Sequence, residues 1–209
     1  MIPLFLVELR RKAFHATGSL IPIVYYFLSR ETAVIGLSAI NAVLLLIEWL
    51  RLNDKIKLPE ILLRPHENKE VAAYIYFQIA ALISILAFEK TIAIAAILML
   101  ALGDATSGLA GTVITGGNVR DQNARKLAFK PLPIIAVMFG ICVLIGLVLL
   151  SLPPAPDMIY VPFHVYAAGA IGAALGDAIP VRILGRRIDD NLIIPLVSGS
   201  FMTAVMWLF

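Results

Sequence analysis

One short stretch, residues 100–111, places a carboxylate among small residues inside an apolar segment. The segment covers 91–114, which is long enough to cross a bilayer as a helix, so we expect Asp104 at membrane depth. An acid there is costly and normally faces the protein interior or a wet cavity. At helical spacing Gly108 and Gly111 share a face with Asp104. Such a face can hold a metal ion and a phosphate-bearing ligand. The simpler alternative is a helix-packing face on which the Asp104 carboxylate is hydrogen-bonded and plays no part in binding.

Further acids, bases and amides lie at the ends of other apolar segments or in the loops beside them. Acids together with bases suit Mg²⁺ and a polyphosphate, and the chemistry expected of them is phosphoryl or nucleotidyl transfer to a lipid. For His15 a structural role is an alternative, and Glu48 and Arg51 can also pair along a wet helix end. The candidates beyond the central stretch are His15, Glu48, Arg51, Arg64, Glu67, Lys126, Asp177, Asp190 and Asn191.

Composition limits the elements that can position these residues. The chain has 209 residues, of which 60% are hydrophobic and 15% charged, and this composition excludes a soluble globular domain. We predict an all-α, polytopic membrane helix bundle that forms one integral membrane domain over 1–209. Cys142 is the only cysteine, so an internal disulfide is excluded. The seven predicted transmembrane segments are 13–28, 32–50, 71–88, 91–114, 131–152, 161–175 and 191–209.

The distribution of basic residues predicts the orientation of the bundle. Fifteen of the 17 Lys and Arg residues fall before the first segment or in alternate loops, and only Arg30 and Lys90 fall on the other side. The positive-inside rule then places the N-terminus and the long loops in the cytoplasm. Nearly all the reactive side chains share that side, which predicts one cytoplasmic site.

Five short motifs, spread from the N-terminus to the last segment, resemble those of a known family. The chain is similar to the CTP-dependent polyprenol and lipid kinases, which include dolichol kinase, phytol kinase and a CTP-dependent diacylglycerol kinase. The motifs are Glu8-x-x-Arg11-Lys12-x-x-His15-x-x-Gly18, Glu48-x-x-Arg51, Arg64-Pro65-x-Glu67, Leu102-Gly103-Asp104-Ala105-x-x-x-Leu109-x-Gly111 and Asp190-Asn191-Leu192-x-Ile194-Pro195-Leu196.

The resemblance implies a multi-helix membrane enzyme that transfers the γ-phosphate of CTP to a lipid alcohol. It implies Mg²⁺ as cofactor, and the bilayer, CTP and a polyprenol-like or dolichol-like alcohol as partners; no nucleic acid is expected, and a homodimer is left open. The implied location is the cell membrane, or the endoplasmic reticulum membrane in a eukaryote. The roles expected of the residues are metal binding by Asp104, Glu48 and Glu67, nucleotide or phosphate binding by Arg51, Arg64, Lys126, Gly108, Gly111, Asp190 and Asn191, and catalysis by Asp104 with Asp177 or His15 as the base.

The chain departs from the family pattern at two places. Where the family has a Lys-Ser-x-Glu-Gly-like motif, residues 125–131 retain Lys126 but not the Ser, Glu or Gly. Asp177 stands where the family often has Glu. The Gly-Asp motif is shared in outline with CDP-diacylglycerol synthases, which attack the α-phosphate of CTP, so a cytidylyltransferase is the alternative. A small transporter is a third hypothesis, because intramembrane acids also mark ion paths.

Overall fold

The computed structural model describes residues 2–59, 70–115, 129–183 and 186–208, and within them the chain is almost entirely helical. Arg64, Glu67 and Lys126 lie outside these described residues. The helices are α1 Ile2–Ala16, α2 Leu20–Phe27, α3 Arg30–Leu52, α4 Ala73–Ala87, α5 Lys90–Leu98, α6 Ala105–Thr115, α7 Leu132–Ser151, α8 Phe163–Ala178 and α9 Asp190–Leu208.

The centre of the bundle is the continuous rod Lys90–Thr115, which joins α5 to α6 through a π-helical segment, Met99–Asp104. Its most apolar 18-residue window is 72% buried inside the protein. In α5 every residue but the last, Lys90 to Ile97, is buried. The rod also carries the buried polar residues Asp104, Ser107 and Thr112, and polar groups at membrane depth normally face the protein interior, which favours a central position for this segment.

Four helices in the described ranges are long and apolar enough to cross a membrane: Arg30–Leu52, Lys90–Thr115, Leu132–Ser151 and Asp190–Leu208. The three besides the central rod bury only 22–33% of their most apolar windows, so their apolar side chains face outward. Ile35, for example, is 71% exposed. An all-helical membrane protein is thus confirmed at this level, whereas seven spans and a cytoplasmic N-terminus stay predictions.

The first helix differs from its predicted extent. We predicted a segment over 13–28, but α1 begins at Ile2 and a 3₁₀ turn, Thr17–Ser19, separates it from α2. Gly18 lies in that turn, and a Cβ there would stand 2.2 Å from the ring of Phe77 in α4. The close approach of α4 explains the glycine, and the helical extension carries Glu8, Arg11 and Lys12 on α1 rather than in a loop.

A glycine face on α8 brings α8 and α9 into close contact. A Cβ at Gly172 would stand 3.0 Å from the Cα of Ser198, and one at Gly176 would stand 3.2 Å from the Cα of Ile194. Between the two helices the chain reverses through a two-residue antiparallel pairing of Arg182–Ile183 with Arg186–Arg187. Because the backbones approach so closely, the C-terminal end of α8 meets the first turn of α9.

Candidate metal and phosphate site

Three buried carboxylates from different parts of the chain converge at one point. One oxygen each of Asp104, Asp177 and Asp190 lie within 4.8 Å of one another. The three residues are only 3–8% exposed. Asp104 ends the π-helical segment, Asp177 lies near the end of α8, and Asp190 begins α9. Like charges held this close in a buried place require nearby cations.

Lys12 supplies the first of these cations. Its Nζ donates to Asp104 Oδ2 at 2.7 Å and to the backbone oxygen of the same residue at 2.8 Å. His15, one helical turn further along α1, places Nε2 3.3 Å from the same Oδ2 and 3.4 Å from the backbone oxygen of Leu100. Burial lowers the pKa of Lys12 below its ordinary value, while the Asp104 carboxylate opposes this effect.

Lys130 supplies the second cation. Its Nζ lies 2.5 Å from Asp177 Oδ1, and Ser107 donates its hydroxyl to Asp177 Oδ2 at 3.2 Å. Burial disfavours the Lys130 ammonium, but the carboxylates of Asp177, Asp104 and Asp190 outweigh that effect and raise its pKa. Lys130 therefore stays charged at neutral pH.

A cleft with about 350 Å³ of empty space, part of it open solvent, lies beside these groups. Gly108 and Gly111 line one wall, which leaves room because neither has a side chain. The other described lining residues are Glu8, Arg11, Lys12, Asp104, Ser107, Lys130, Ile134 and Asp190. Glu8 and Arg11 neutralise each other, because Arg11 donates Nε–H to Glu8 Oε2 at 3.0 Å. The cleft thus combines acids, ammonium groups and bare backbone, which suits a metal ion with a phosphate chain.

Glu48 and Arg51 form a second polar cluster, which we call the α3 ion pair. Arg51 donates to Glu48 through Nε at 2.8 Å and through a terminal nitrogen at 2.6 Å, and also to the backbone oxygen of Glu70 at 2.6 Å. Glu48 further accepts from the backbone N–H of Ala72 at 2.7 Å and from the Tyr74 hydroxyl at 2.8 Å. The α3 ion pair therefore fixes the N-terminal end of α4.

Asn191 connects this end of α4 to the carboxylates. Its Nδ2 donates to the backbone oxygen of Ala73 at 3.3 Å, and the next residue back in the chain is Asp190. Asn191 is 1% exposed, and its Oδ1 accepts no hydrogen bond from the described part of the chain. Buried polar atoms are normally satisfied, so this oxygen is an acceptor that a bound group would satisfy.

The predicted site residues divide into two groups in the structure. Asp104, Asp177, Asp190, His15, Gly108 and Gly111 meet at or beside the cleft. Glu48 and Arg51 do not line it, and both Glu48 oxygens already accept hydrogen bonds. The metal-binding role of Glu48 stays a prediction, as do the roles of Arg64, Glu67 and Lys126 outside the described residues.

Sequence reasoning assigned no role in the site to three of the residues found there: Lys12, Lys130 and Ser107. Lys12 appeared in the sequence as part of the first family-like motif and Lys130 as one of the bases after a Gly-rich turn that could bind phosphates, but neither was assigned a carboxylate partner. A usable signal existed for Lys12, because it precedes His15 by three residues and so shares its helical face. Lys130 carried no such signal, because its partner Asp177 lies 47 positions away.

The donor set fits a hard divalent cation such as Mg²⁺. Mg²⁺ takes oxygen ligands and is usually bound through one or two carboxylates, water and substrate phosphates. Asp104, Asp177 and Asp190 would offer the carboxylate oxygens, and the unsatisfied Oδ1 of Asn191 lies on the residue next to Asp190. The ion would lower the repulsion among the three carboxylates and neutralise charge on a phosphate.

Comparison with known proteins adds no assignment to this geometry. No protein-family model, curated protein or solved structure matches the chain. A function for the protein must therefore be argued from its own residues.

Proposed function

We propose that this protein is a Mg²⁺-dependent membrane phosphotransferase that uses CTP to phosphorylate a lipid alcohol. One observation supports it above the others: Asp104, Asp177 and Asp190 converge within 4.8 Å beside a cleft. Phosphoryl transfer is catalysed mostly by positioning and charge neutralisation, which carboxylate-bound Mg²⁺ and lysines supply. CTP as the donor rests on the sequence resemblance.

The surroundings of the cleft support a lipid as the acceptor. Its acids and bases are carried by helices whose outer faces are apolar, and four of the described helices have the length of membrane spans. An alcohol dissolved in the bilayer reaches such a site without leaving the membrane. In the proposed topology seven segments cross the membrane, and the cleft and the N-terminus face the cytoplasm, where CTP is available.

Each residue of the site has a definite role in this proposal. Asp104, Asp177 and Asp190 hold the ion, which supplies charge neutralisation at the transferred phosphate. Lys12 and Lys130 balance the acids and attract the nucleotide phosphates. His15 Nε2 lies 3.3 Å from Asp104 Oδ2 and 3.4 Å from the Leu100 backbone oxygen, two acceptors, so it carries a hydrogen and orients Asp104. Asp177, the other candidate base, accepts the proton of the alcohol as the alcohol oxygen attacks phosphorus. CDP then leaves with its two remaining phosphates.

A labelled-substrate assay tests the proposal. The purified protein in lipid nanodiscs receives Mg²⁺, a panel of lipid alcohols and lipid phosphates, and CTP labelled at either the α- or the γ-phosphate. We expect γ-label in the lipid and α-label in released CDP. If the α-label enters the lipid and pyrophosphate is released, the protein is the cytidylyltransferase instead. If neither label enters any lipid, the proposal fails.

A matched pair of variants connects the activity to the site. Asp104→Asn keeps the side-chain shape but removes a charge, and we expect turnover to fall at least about a hundredfold. Asp157→Asn is the control, because Asp157 is exposed and its φ of 64° is a conformation that Asn adopts readily. Normal turnover by folded Asp104→Asn would remove Asp104 from the site.

A further inference from the structure

The oxygen atoms around the Lys12 ammonium resemble the ligands of a cation-binding site. The ammonium lies between a carboxylate oxygen and the backbone oxygen of the same residue, Asp104, at 2.7 and 2.8 Å. Oxygens of both kinds are ligands of hard divalent cations. Lys12 is 4% exposed, so its charge is withheld from water and depends on Asp104 for compensation.

The neighbouring helix is built to accept this lysine. A Cβ at Gly108 would stand 2.2 Å from Lys12 Cε and 2.6 Å from Nζ. The absence of a side chain at this position is therefore what lets Lys12 cross α6 and reach Asp104. Lys12 also lines the cleft, so open space lies within reach of its flexible side chain.

We propose that the Lys12 ammonium is a counter-ion that occupies the divalent-cation position on Asp104 when no metal is bound, and that the cation displaces it. This inference rests on the proposed function, because it concerns the same metal site. The arriving ion takes the Asp104 oxygens, and the displaced ammonium turns into the cleft, where a phosphate compensates its charge. The exchange makes a free divalent ion bind weakly, and it makes the ion and the polyphosphate favour each other's binding.

The exchange predicts that removing Lys12 strengthens metal binding. Binding of Mn²⁺, a paramagnetic substitute for Mg²⁺, is measured by electron paramagnetic resonance on the full chain in nanodiscs without nucleotide. We expect Lys12→Met to bind Mn²⁺ at least tenfold more tightly than the wild type. Lys55→Met removes an exposed charge away from the site, so it should bind Mn²⁺ as the wild type does.

Thermal stability gives a second measurement that does not depend on activity. Lys12→Met leaves the buried Asp104 without its ammonium partner, so we expect the variant to be less stable than the wild type and to regain stability as Mn²⁺ is added. A variant that folds only with Mn²⁺ present would support the exchange. Lys12→Gln, which can still donate to the Asp104 backbone oxygen, should behave in the same way.

The outcomes separate this inference from the proposed function. Equal Mn²⁺ affinity in the wild type and Lys12→Met, with binding lost in Asp104→Asn, overturns the exchange and leaves the metal site intact. Weaker binding in Lys12→Met also overturns the exchange. If neither protein binds Mn²⁺ and neither is stabilised by it, both the exchange and the metal site of the proposed function fail.

Discussion

The α3 ion pair offers the sharpest test of how the fold supports the site. Glu48 and Arg51 have side chains only 3% and 5% exposed, and their hydrogen bonds fix the backbone at Glu70 and Ala72. The next residue, Ala73, receives the hydrogen bond from Asn191. We therefore expect this pair to stabilise the position of α4 without binding the metal, so that its loss lowers stability rather than metal affinity.

The perturbation is Glu48→Gln, which keeps the shape and removes the negative charge. Arg51 then loses its counter-charge in a buried place, and breaking a buried pair in this way costs about 3–5 kcal/mol. Arg51 keeps its hydrogen bond to the Glu70 backbone oxygen, so we expect the lower end, about 3 kcal/mol. For a chain of this size that loss lowers the melting temperature by roughly 6–12 °C.

The chain carries its own probe for this measurement. Cys142 is the only cysteine and is fully buried, so a thiol-reactive fluorophore reports unfolding in detergent without further engineering. Glu31→Gln is the control on the same helix, because Glu31 is exposed in the first turn of α3. We expect the control to melt within about 2 °C of the wild type, as surface changes usually do.

The double variant Glu48→Gln with Arg51→Met distinguishes a lost pair from a general defect. It removes the uncompensated charge, so it should recover at least half of the stability lost in the single variant. Mn²⁺ affinity should not change in Glu48→Gln, whereas a metal ligand at this position would lose affinity. A melting temperature within about 2 °C of the wild type, or a double variant less stable than the single one, would refute the reasoning.

Three further perturbations have equally definite outcomes. Gly108→Ala should reduce turnover at least tenfold and should also lower the thiol-monitored melting temperature, because its Cβ displaces the end of Lys12 from the buried Asp104; unchanged turnover would contradict the packing argument. Lys90→Met should cost about 2 kcal/mol in the same melting assay, because Lys90 Nζ donates to two backbone oxygens at 2.9 and 2.8 Å, and it should leave Mn²⁺ affinity unchanged. Reporter fusions at Arg120 and at Pro154 should report opposite sides of the membrane, and the same side for both would refute the seven-span topology.

Much of the helical framework could be predicted because membranes impose a strict length and polarity on each span. The expected segment 91–114 is the rod Lys90–Thr115, and 131–152 is Leu132–Ser151. The start of α1 at Ile2 was missed, because the charged residues within 8–12 lower the local hydropathy and so mark the start of the apolar segment, not the start of the helix. The π-helical segment Met99–Asp104 was also missed, since nothing in local composition distinguishes a π turn from an α turn.

The site was predictable in its acids but not in its cations. The sequence Gly-Asp-Ala occurs at both 103–105 and 176–178, a repeat that indicates two facing carboxylates, and oxygens of Asp104 and Asp177 do converge in the structure. The ammonium partners come from 92 and 47 positions away, and only packing selects one lysine over another. Glu48 is an acid whose role the sequence did not decide. Its spacing to Arg51 fits an ion pair at the end of a helix as well as a metal ligand.

The charge balance of the cleft favours joint binding of a metal ion and a phosphate chain, as the proposed function requires. Among the described side chains, three carboxylates face the ammonium groups of Lys12 and Lys130, which leaves one net negative charge. One divalent cation reverses that sign, and the site then attracts an anion. The charge of Lys12 is already part of this sum, but once an ion displaces it from Asp104 the ammonium can face the phosphate instead. In the proposed site, metal binding and phosphate binding would therefore be coupled by electrostatics, before any movement of the helices is considered.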